Sequence, residues 1–220
     1  MASKIGFIGA SGLMGHGIAK NLLAKGHALS ITVHRNREPL ADLLAAGAAE
    51  VADAKALAQT CDVVFVCVTG SPQVEAVVLG DAGLLAGARS GLVIVDCSTS
   101  EPDSTAKLRA GAAAKGALYI DAPLSRTPLE AEAGKLNVMV GADDAAFAHL
   151  KPLLEAFAEN IFHVGGPGAG HIIKLLNNFI AQSICTATAE AFAVGQRAGV
   201  NVQSLVDLIG QFVGVCVFLL

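Results

Sequence analysis

A short apolar stretch, Ile5, Phe7 and Ile8, runs directly into Gly9-Ala10-Ser11-Gly12-Leu13-Met14-Gly15, and an alanine-rich helical run follows to Lys25, where Gly26 stops it. Strand, glycine turn and helix in that order are the context a dinucleotide fingerprint requires. The glycines let the backbone approach a pyrophosphate, and the N–H groups at a helix start have no partners of their own. A second apolar run, Leu29–Val33, stands at the right distance to be the next strand. The spacing is Gly-x-x-Gly-x-x-Gly, one residue longer than the usual form, so the register of the first glycine stays open. A tight strand-to-helix turn that holds no ligand is the competing reading.

The second strand ends at His34-Arg35-Asn36-Arg37. In dinucleotide folds an Asp or Glu here holds the ribose 2′-hydroxyl of NAD, whereas an Arg accommodates the 2′-phosphate of NADP. No acid stands at 34–37 and two arginines do, so NADP is the expected cofactor, with NAD the alternative. A solvated basic turn is the plain reading of the same residues.

Downstream, Pro39–Ala46 reads as a helix, and Val63–Val68 as a strand covered on both faces that ends at Thr69-Gly70-Ser71-Pro72. Leu92–Val95 is the next strand and runs into Asp96-Cys97-Ser98-Thr99. Pro102–Lys115 is a helix stopped near Gly116, and Leu118–Ile120 is a strand leading to Asp121-Ala122-Pro123-Leu124-Ser125-Arg126-Thr127. Val138–Val140 and Ile161–Val164 are strands on either side of a helix over Asp143–Ala158. This alternation predicts an α/β chain: a Rossmann-type, doubly wound, mainly parallel sheet, followed by a long helix and a partial all-α domain. Ligands of such sheets sit outside the carboxyl ends of the strands. The loops at 9–15, 34–37, 69–72, 97–99 and 123–127 fall on that edge. They supply the candidate cofactor-binding residues Gly9, Ser11, Gly12, Leu13, Met14, His34, Arg35, Asn36, Arg37, Val68, Thr69, Gly70, Ser98 and Thr99.

With 53% hydrophobic residues and 15% charged among 220, the chain can fill one large core or one and a half. A net charge of -4, no basic tract and no Trp argue against nucleic acid as a partner. Cys61, Cys67, Cys97, Cys185 and Cys216 contain no CxxC pair and are odd in number, which fits reduced thiols in the cytoplasm; no metal is expected. No signal peptide precedes the first strand, and Val63–Val68 and Phe212–Leu220 are far shorter than a membrane span, so no membrane partner is expected.

The glycine-rich break Gly165-Gly166-Pro167-Gly168-Ala169-Gly170 opens a run from His171 to Arg197 with no proline and only Gly195, enough for a helix of about 40 Å. Its apolar residues, from Ile172 to Val194, do not keep to one stripe, which marks a helix to be buried. Lys174 and Asn178 stand inside it at i,i+4 and share a face. An isolated ammonium buried there is costly, so Lys174 either reaches water or works in a cleft. His171, one turn earlier, reads as a packed or partly exposed helix-start residue rather than a catalytic one.

Taken together, Ile5–Gly15, Asp121–Thr127, Gly134-Lys135-Leu136 and Gly165–Asn178 resemble the β-hydroxyacid dehydrogenase family, over essentially all of residues 4–200. That family includes 3-hydroxyisobutyrate dehydrogenase, tartronate semialdehyde reductase and sulfolactaldehyde reductase. The pattern Gly168-x-Gly170-x-x-x-Lys174-x-x-Asn177-Asn178 carries the likeness most specifically. The resemblance implies an oxidoreductase that moves a hydride between the cofactor and a small anionic 3-hydroxyacid or semialdehyde. It implies Lys174 as general acid/base, with Ser125 and Asn178 orienting the acid. A lysine desolvated in a cleft has its pKa drawn toward the working pH, which suits that exchange. Where the family has Ser-Gly-Gly, this chain has Ser125-Arg126-Thr127. The sulfolactaldehyde reductase branch is similar in carrying Arg-Thr, so Arg126 and Thr127 are expected at a strongly anionic end of the substrate, where a guanidinium forks onto oxygens. An Arg126 turned to solvent is the plain alternative. Imine reductases share the fold and generally lack the lysine, so Lys174 points to alcohol–carbonyl chemistry.

The family continues through several helices beyond the length seen here, so the resemblance implies a C-terminally shortened member, divided into a dinucleotide-binding domain at 1–164 and an incomplete helical domain at 165–220. Apolar surface left on the long helix predicts a homodimer or higher homo-oligomer. The competing reading is a catalytically weak dinucleotide-binding or oligomerisation module of the same fold.

Overall fold

Six short strands line up in parallel: β1 (Ile5–Ile8), β2 (Leu29–Thr32), β3 (Ala49–Val51), β4 (Val63–Val66), β5 (Val93–Asp96) and β6 (Leu118–Asp121). Their order, β3-β2-β1-β4-β5-β6, is that of a doubly wound dinucleotide-binding sheet. β1, β4 and β5 are buried at every residue, as their unbroken apolar sequences require of strands covered on both faces. Three more strands extend the sheet: β7 (Leu124–Ser125), β8 (Leu136–Gly141) and β9 (Ala158–Gly165). β8 runs antiparallel to β6 and β7 and parallel to β9, so the sheet is mainly, not wholly, parallel.

The computed structural model of the chain describes residues 3–33 and 37–216. Around the sheet lie α1 (Leu13–Ala24), α2 (Ala41–Ala45), α3 (Ala54–Thr60), α4 (Ser71–Leu79), α5 (Leu84–Gly87), α6 (Pro102–Ala113), α7 (Pro128–Glu132) and α8 (Asp144–Leu154). Side chains alternate across the strands, and so the core falls into two clusters. One contains Phe7, Phe65 and Phe157, with Phe65 stacked on Phe7 at 6.2 Å and edge-on to Phe157 at 5.8 Å. The other gathers Leu57, Val64, Val66, Ile94 and Leu108.

Several boundaries differ from the sequence reading. The helix expected over 39–46 is a 3-10 turn, Glu38–Leu40, followed by α2. The helix expected over 143–158 ends at Leu154, and Ala158 already belongs to β9. β3, α3, α4 and α5 are additional elements; α3 is announced by Asp53, whose carboxylate accepts the Ala56 N–H as an N-cap.

The chain forms two compact units, Met1–Leu175 and Leu176–Leu220. α9 (Ala169–Arg197) begins in the first unit, and α10 (Val202–Cys216) lies in the second. The expectation that the long helix is buried needs correction for the single chain. Gly170 and His171 are its buried residues, whereas Phe179 is 71% exposed and Ile180, Ile184 and Val194 are all more than half exposed. An apolar composition marks what a helix can bury; in the single chain that surface stays open. Among the described residues no helix is long and apolar enough to cross a membrane.

Candidate active site

The carboxyl edge of the sheet is shaped first by backbone. β1 ends at Gly9, which takes φ +95; a Cβ there would lie 2.0 Å from the Cys67 carbonyl oxygen, just past β4. The two strand ends are therefore side by side where the strand order reverses, the place where such sheets open a crevice. A Cβ on Gly15 would lie 2.2 Å from the Gly9 oxygen, so the turn demands glycine at both positions. The Gly12 N–H closes it by donating to the Gly9 carbonyl at 3.0 Å. Gly12 is the N-cap of α1, with no side-chain cap and no acid in the first turn. Backbone N–H groups at such an end are free for an anion, and the helix dipole favours one. These features fit the pyrophosphate of a dinucleotide.

The other expected cofactor residues fall into distinct situations. Ser11 and Gly12 are exposed, Leu13 is 80% exposed, and Met14 packs partly on the core. Thr69 and Thr99 are exposed at the ends of β4 and β5, and Gly70 is the N-cap of α4. Ser98 is buried, and its hydroxyl accepts the Val68 N–H at 3.0 Å, tying those two ends together. Arg37 pairs with Glu50 of β3, one guanidinium nitrogen donating at 3.2 Å. His34, Arg35 and Asn36 lie outside the described residues.

At the next strand ends stand two carboxylates wholly out of solvent, Asp96 and Asp121, which are register partners on β5 and β6. Asp121 accepts the N–H of Gly168 at 2.7 Å and that of His171 at 3.0 Å, and so holds the start of α9. The approach is close enough to require glycine on both sides. A Cβ on Gly141 would come within 2.5 Å of Asp121 Oδ2, and one on Gly170 within 2.8 Å. The Gly168-x-Gly170 lead-in thus has a steric cause, with Gly168 also at φ +96.

Lys174 follows three residues after His171. It is partly buried, and desolvation pushes its ammonium below the ordinary lysine value. The thiols at this edge are inert by comparison. Burial, with the Asp96 carboxylate adding to it, pushes Cys67 up to about 12, and burial raises Cys97 as well. Asn178 is partly buried further along α9, in the second unit.

The loop after β6 carries the three remaining candidates. Ser125 ends β7 and is partly buried. Arg126 takes φ +84, the one non-glycine residue in the left-handed region among those described. Its guanidinium donates to the Lys135 carbonyl at 2.6 Å and pairs with Glu159 of β9. Thr127 is the N-cap of α7: its hydroxyl accepts from Leu129 N–H, and the Glu130 carboxylate accepts the Thr127 N–H at 2.9 Å. That is a capping box, and Thr-x-x-Glu in the sequence announces it. Asp96 and Asp121 are site residues that sequence reasoning passed over. The available signal was an acid ending each of two apolar runs, Val93-Ile94-Val95-Asp96 and Leu118-Tyr119-Ile120-Asp121.

Comparison with known proteins adds to this geometry. Residues 4–165 match the family described as the NAD binding domain of 6-phosphogluconate dehydrogenase. Residues 168–219 match the NAD-binding family of NADP-dependent 3-hydroxyisobutyrate dehydrogenase. The chain is 37% identical to 2-(hydroxymethyl)glutarate dehydrogenase of Eubacterium barkeri, covering 96% of this chain and 69% of that protein. It is 38% identical to 2-hydroxy-3-oxopropionate reductase of Escherichia coli strain K12, over 90% of this chain and 67% of that one. The solved structure of Mycobacterium tuberculosis 3-hydroxyisobutyrate dehydrogenase with L-serine superposes with a TM-score of 0.85 at 31% identity, covering 95% of this chain and 70% of that one. With both family models accounting for nearly the whole length, and with relatives more than 30% identical over most of their own lengths, this chain belongs to the β-hydroxyacid dehydrogenase family of nicotinamide-dependent oxidoreductases.

Proposed function

We propose that the chain is a cytoplasmic enzyme that interconverts small anionic 3-hydroxyacids and their semialdehydes with NADP(H), NAD(H) being the alternative, and that Lys174 is its general acid/base. The observation that carries this reading is a desolvated ammonium one helical turn from the point where Asp121 ties α9 to the ligand-binding edge of the sheet. The nicotinamide supplies hydride transfer when bound. Lys174 takes the proton from the substrate hydroxyl as the carbonyl forms and returns it in the other direction; a depressed pKa suits both tasks. Ser125 and Asn178 orient the acid group. Arg126 meets the substrate's anionic end by exchanging Glu159 for it, with Thr127 beside it at the start of α7. The domain boundary falls at residue 165: the dinucleotide-binding domain at 1–164 also lends Ser125, Arg126 and Thr127 to the substrate, and the helical domain at 165–220 serves substrate binding and assembly.

The test has two arms. Titrations should show NADPH binding more tightly than NADH, and small acidic aldehydes should be reduced with the tighter cofactor. Lys174→Met should then lower turnover by roughly a hundredfold to ten-thousandfold while leaving cofactor affinity as it was. Cofactor binding with no turnover of any acidic aldehyde or 3-hydroxyacid would replace this reading with that of a non-catalytic binding module.

A further inference from the structure

His171 has no contact with solvent and sits between α6 and the two strand-end carboxylates. Its Nδ1 lies 2.7 Å from Thr105 Oγ1. The Thr105 hydroxyl lies 2.9 Å from the Glu101 carbonyl and closer still to Nδ1, and its single proton given to Nδ1 leaves the ring hydrogen on Nε2, facing Asp96. Nε2 then stands 3.6 Å from Asp96 Oδ2 and is the one buried side-chain polar atom without a hydrogen-bond partner among the described residues. Asp96 itself is well satisfied. It accepts from Ser98 N–H at 2.9 Å, Ser100 Oγ at 2.9 Å and Tyr119 OH at 2.7 Å. Burial, followed by the Asp96 charge, holds the Tyr119 phenol protonated as a donor. A wholly buried ring with one nitrogen underused is costly to keep, and neither cofactor binding nor proton transfer uses it.

We propose that His171 is a positioning residue: held by Thr105 on one side and against Asp96 on the other, it fixes the first turns of α9 and thereby the place of Lys174 relative to the Ser98–Thr99 turn. This rests on the reading of Lys174 as the acid/base. Asp121 grips the helix start through two backbone N–H groups, which set where the helix begins but leave it free to pivot about that point. The side chain of His171, packed between Thr105 and Asp96, adds a lateral contact that removes the pivot. Asp96 is the common member, because its other oxygen holds Ser98 N–H on the cofactor side. Catalysis between two bound groups tolerates little misplacement, and a shift of about 1 Å costs on the order of a hundredfold.

The test uses the whole chain, with NADPH and tartronate semialdehyde in one direction and with NADP+ and 3-hydroxyisobutyrate in the other. His171→Asn keeps an amide oxygen to accept from Thr105 where Nδ1 stands and loses the reach to Asp96, whereas His171→Gln keeps an N–H donor near the place of Nε2. His171→Asn should lower kcat roughly tenfold to a hundredfold, with KM and cofactor Kd changed less than about threefold. Amide exchange over 168–176 should quicken by about tenfold while β1 and β4 exchange as in the parent. His171→Gln should recover a substantial part of kcat. A kcat for His171→Asn within about twofold of the parent, or one that falls only in step with cofactor affinity, overturns the proposal. If the parent turns over no acidic aldehyde or 3-hydroxyacid yet exchange responds as described, the dehydrogenase reading fails and the anchoring role of His171 stands.

Discussion

Arg126 shows how one residue carries a conflict between backbone and side chain. A non-glycine residue at φ +84 is disfavoured by roughly 1–2 kcal/mol, a cost that glycine would avoid. What offsets it is the guanidinium, which bridges the Lys135 carbonyl and Glu159. That pair is partly exposed, and such pairs contribute about 0–1 kcal/mol, so the two effects nearly cancel. Arg126→Gly should therefore leave the thermal midpoint close to the parent's. If Arg126 meets the substrate, the same change should raise KM for acidic aldehydes, with kcat/KM falling about tenfold to a hundredfold, the worth of a charged hydrogen bond. A lost midpoint with an unchanged KM would assign Arg126 to the fold alone. Glycine and lysine signals of this kind were legible in the sequence because their causes are local. Gly9, Gly15 and Gly168 answer to the turn they form, and Lys174 to its place in a helical run. The Thr105–His171 contact was not legible, because its partners are 66 residues apart and only the sheet brings them together.

Among elements, α1, α2 and α7 meet at one imidazole. His16 Nδ1 lies 2.6 Å from Glu132 and Nε2 3.0 Å from Asp42, and Lys20 reaches the same Glu132 at 2.9 Å. Burial alone would lower His16, but the hydrogen bonds and charges of Asp42 and Glu132 together outweigh it and raise the pKa above 6.5. The hydrogen bond to His16 lowers Asp42 below 3.8 despite its desolvation; Glu132, which burial would raise, is lowered below 4.5 by Lys20 and His16. The signs define a window. His16 is bound more tightly to its proton when folded, so its contribution is complete below about 6.5 and fades as pH rises through the raised value. The carboxylates contribute above their unfolded values and lose that contribution as pH falls through the depressed ones. Thermal midpoints of the parent and His16→Gln should thus differ most between about pH 4.5 and 6.5 and converge on the alkaline side; a constant gap up to pH 9 would show that the proton is not involved. The same junction contains Gly17, where a Cβ would lie 2.4 Å from the Ala131 backbone. Gly17→Ala should cost roughly 1–3 kcal/mol in a denaturation midpoint, because two backbones cannot both give way. At this scale the apolar strands β1, β4 and β5 were plain in the sequence. The short helices α3, α4 and α5 were not, since each is stabilised by packing on the sheet more than by its own pattern.

For the whole molecule, the open surface of α9 matters most. Phe179, Ile180 and Ile184 remain exposed in the single chain, and burial is worth about 25 cal/mol per Å² of apolar area, so covering one helix face is worth several kcal/mol. We expect a homo-oligomer in solution, with Phe179→Glu shifting it toward monomer in sedimentation velocity while the sheet unit keeps its cofactor affinity. A parent chain that sediments as a monomer at micromolar concentration would defeat this. The division into two units was only partly legible, because α9 runs unbroken across the place where one unit gives way to the next. The Asp121 clasp on that helix has a chemical consequence of its own. The N-terminal amides of α9 are capped by a carboxylate that arrives from the sheet, so the environment that strips water from Lys174 exists only after the sheet has closed. An unfolded copy carries Lys174 as an ordinary, mostly protonated amine, slower toward electrophiles than the desolvated one. The rate at which that one lysine is acylated, set against its rate in denaturant at the same pH, would then report the copies that have finished folding.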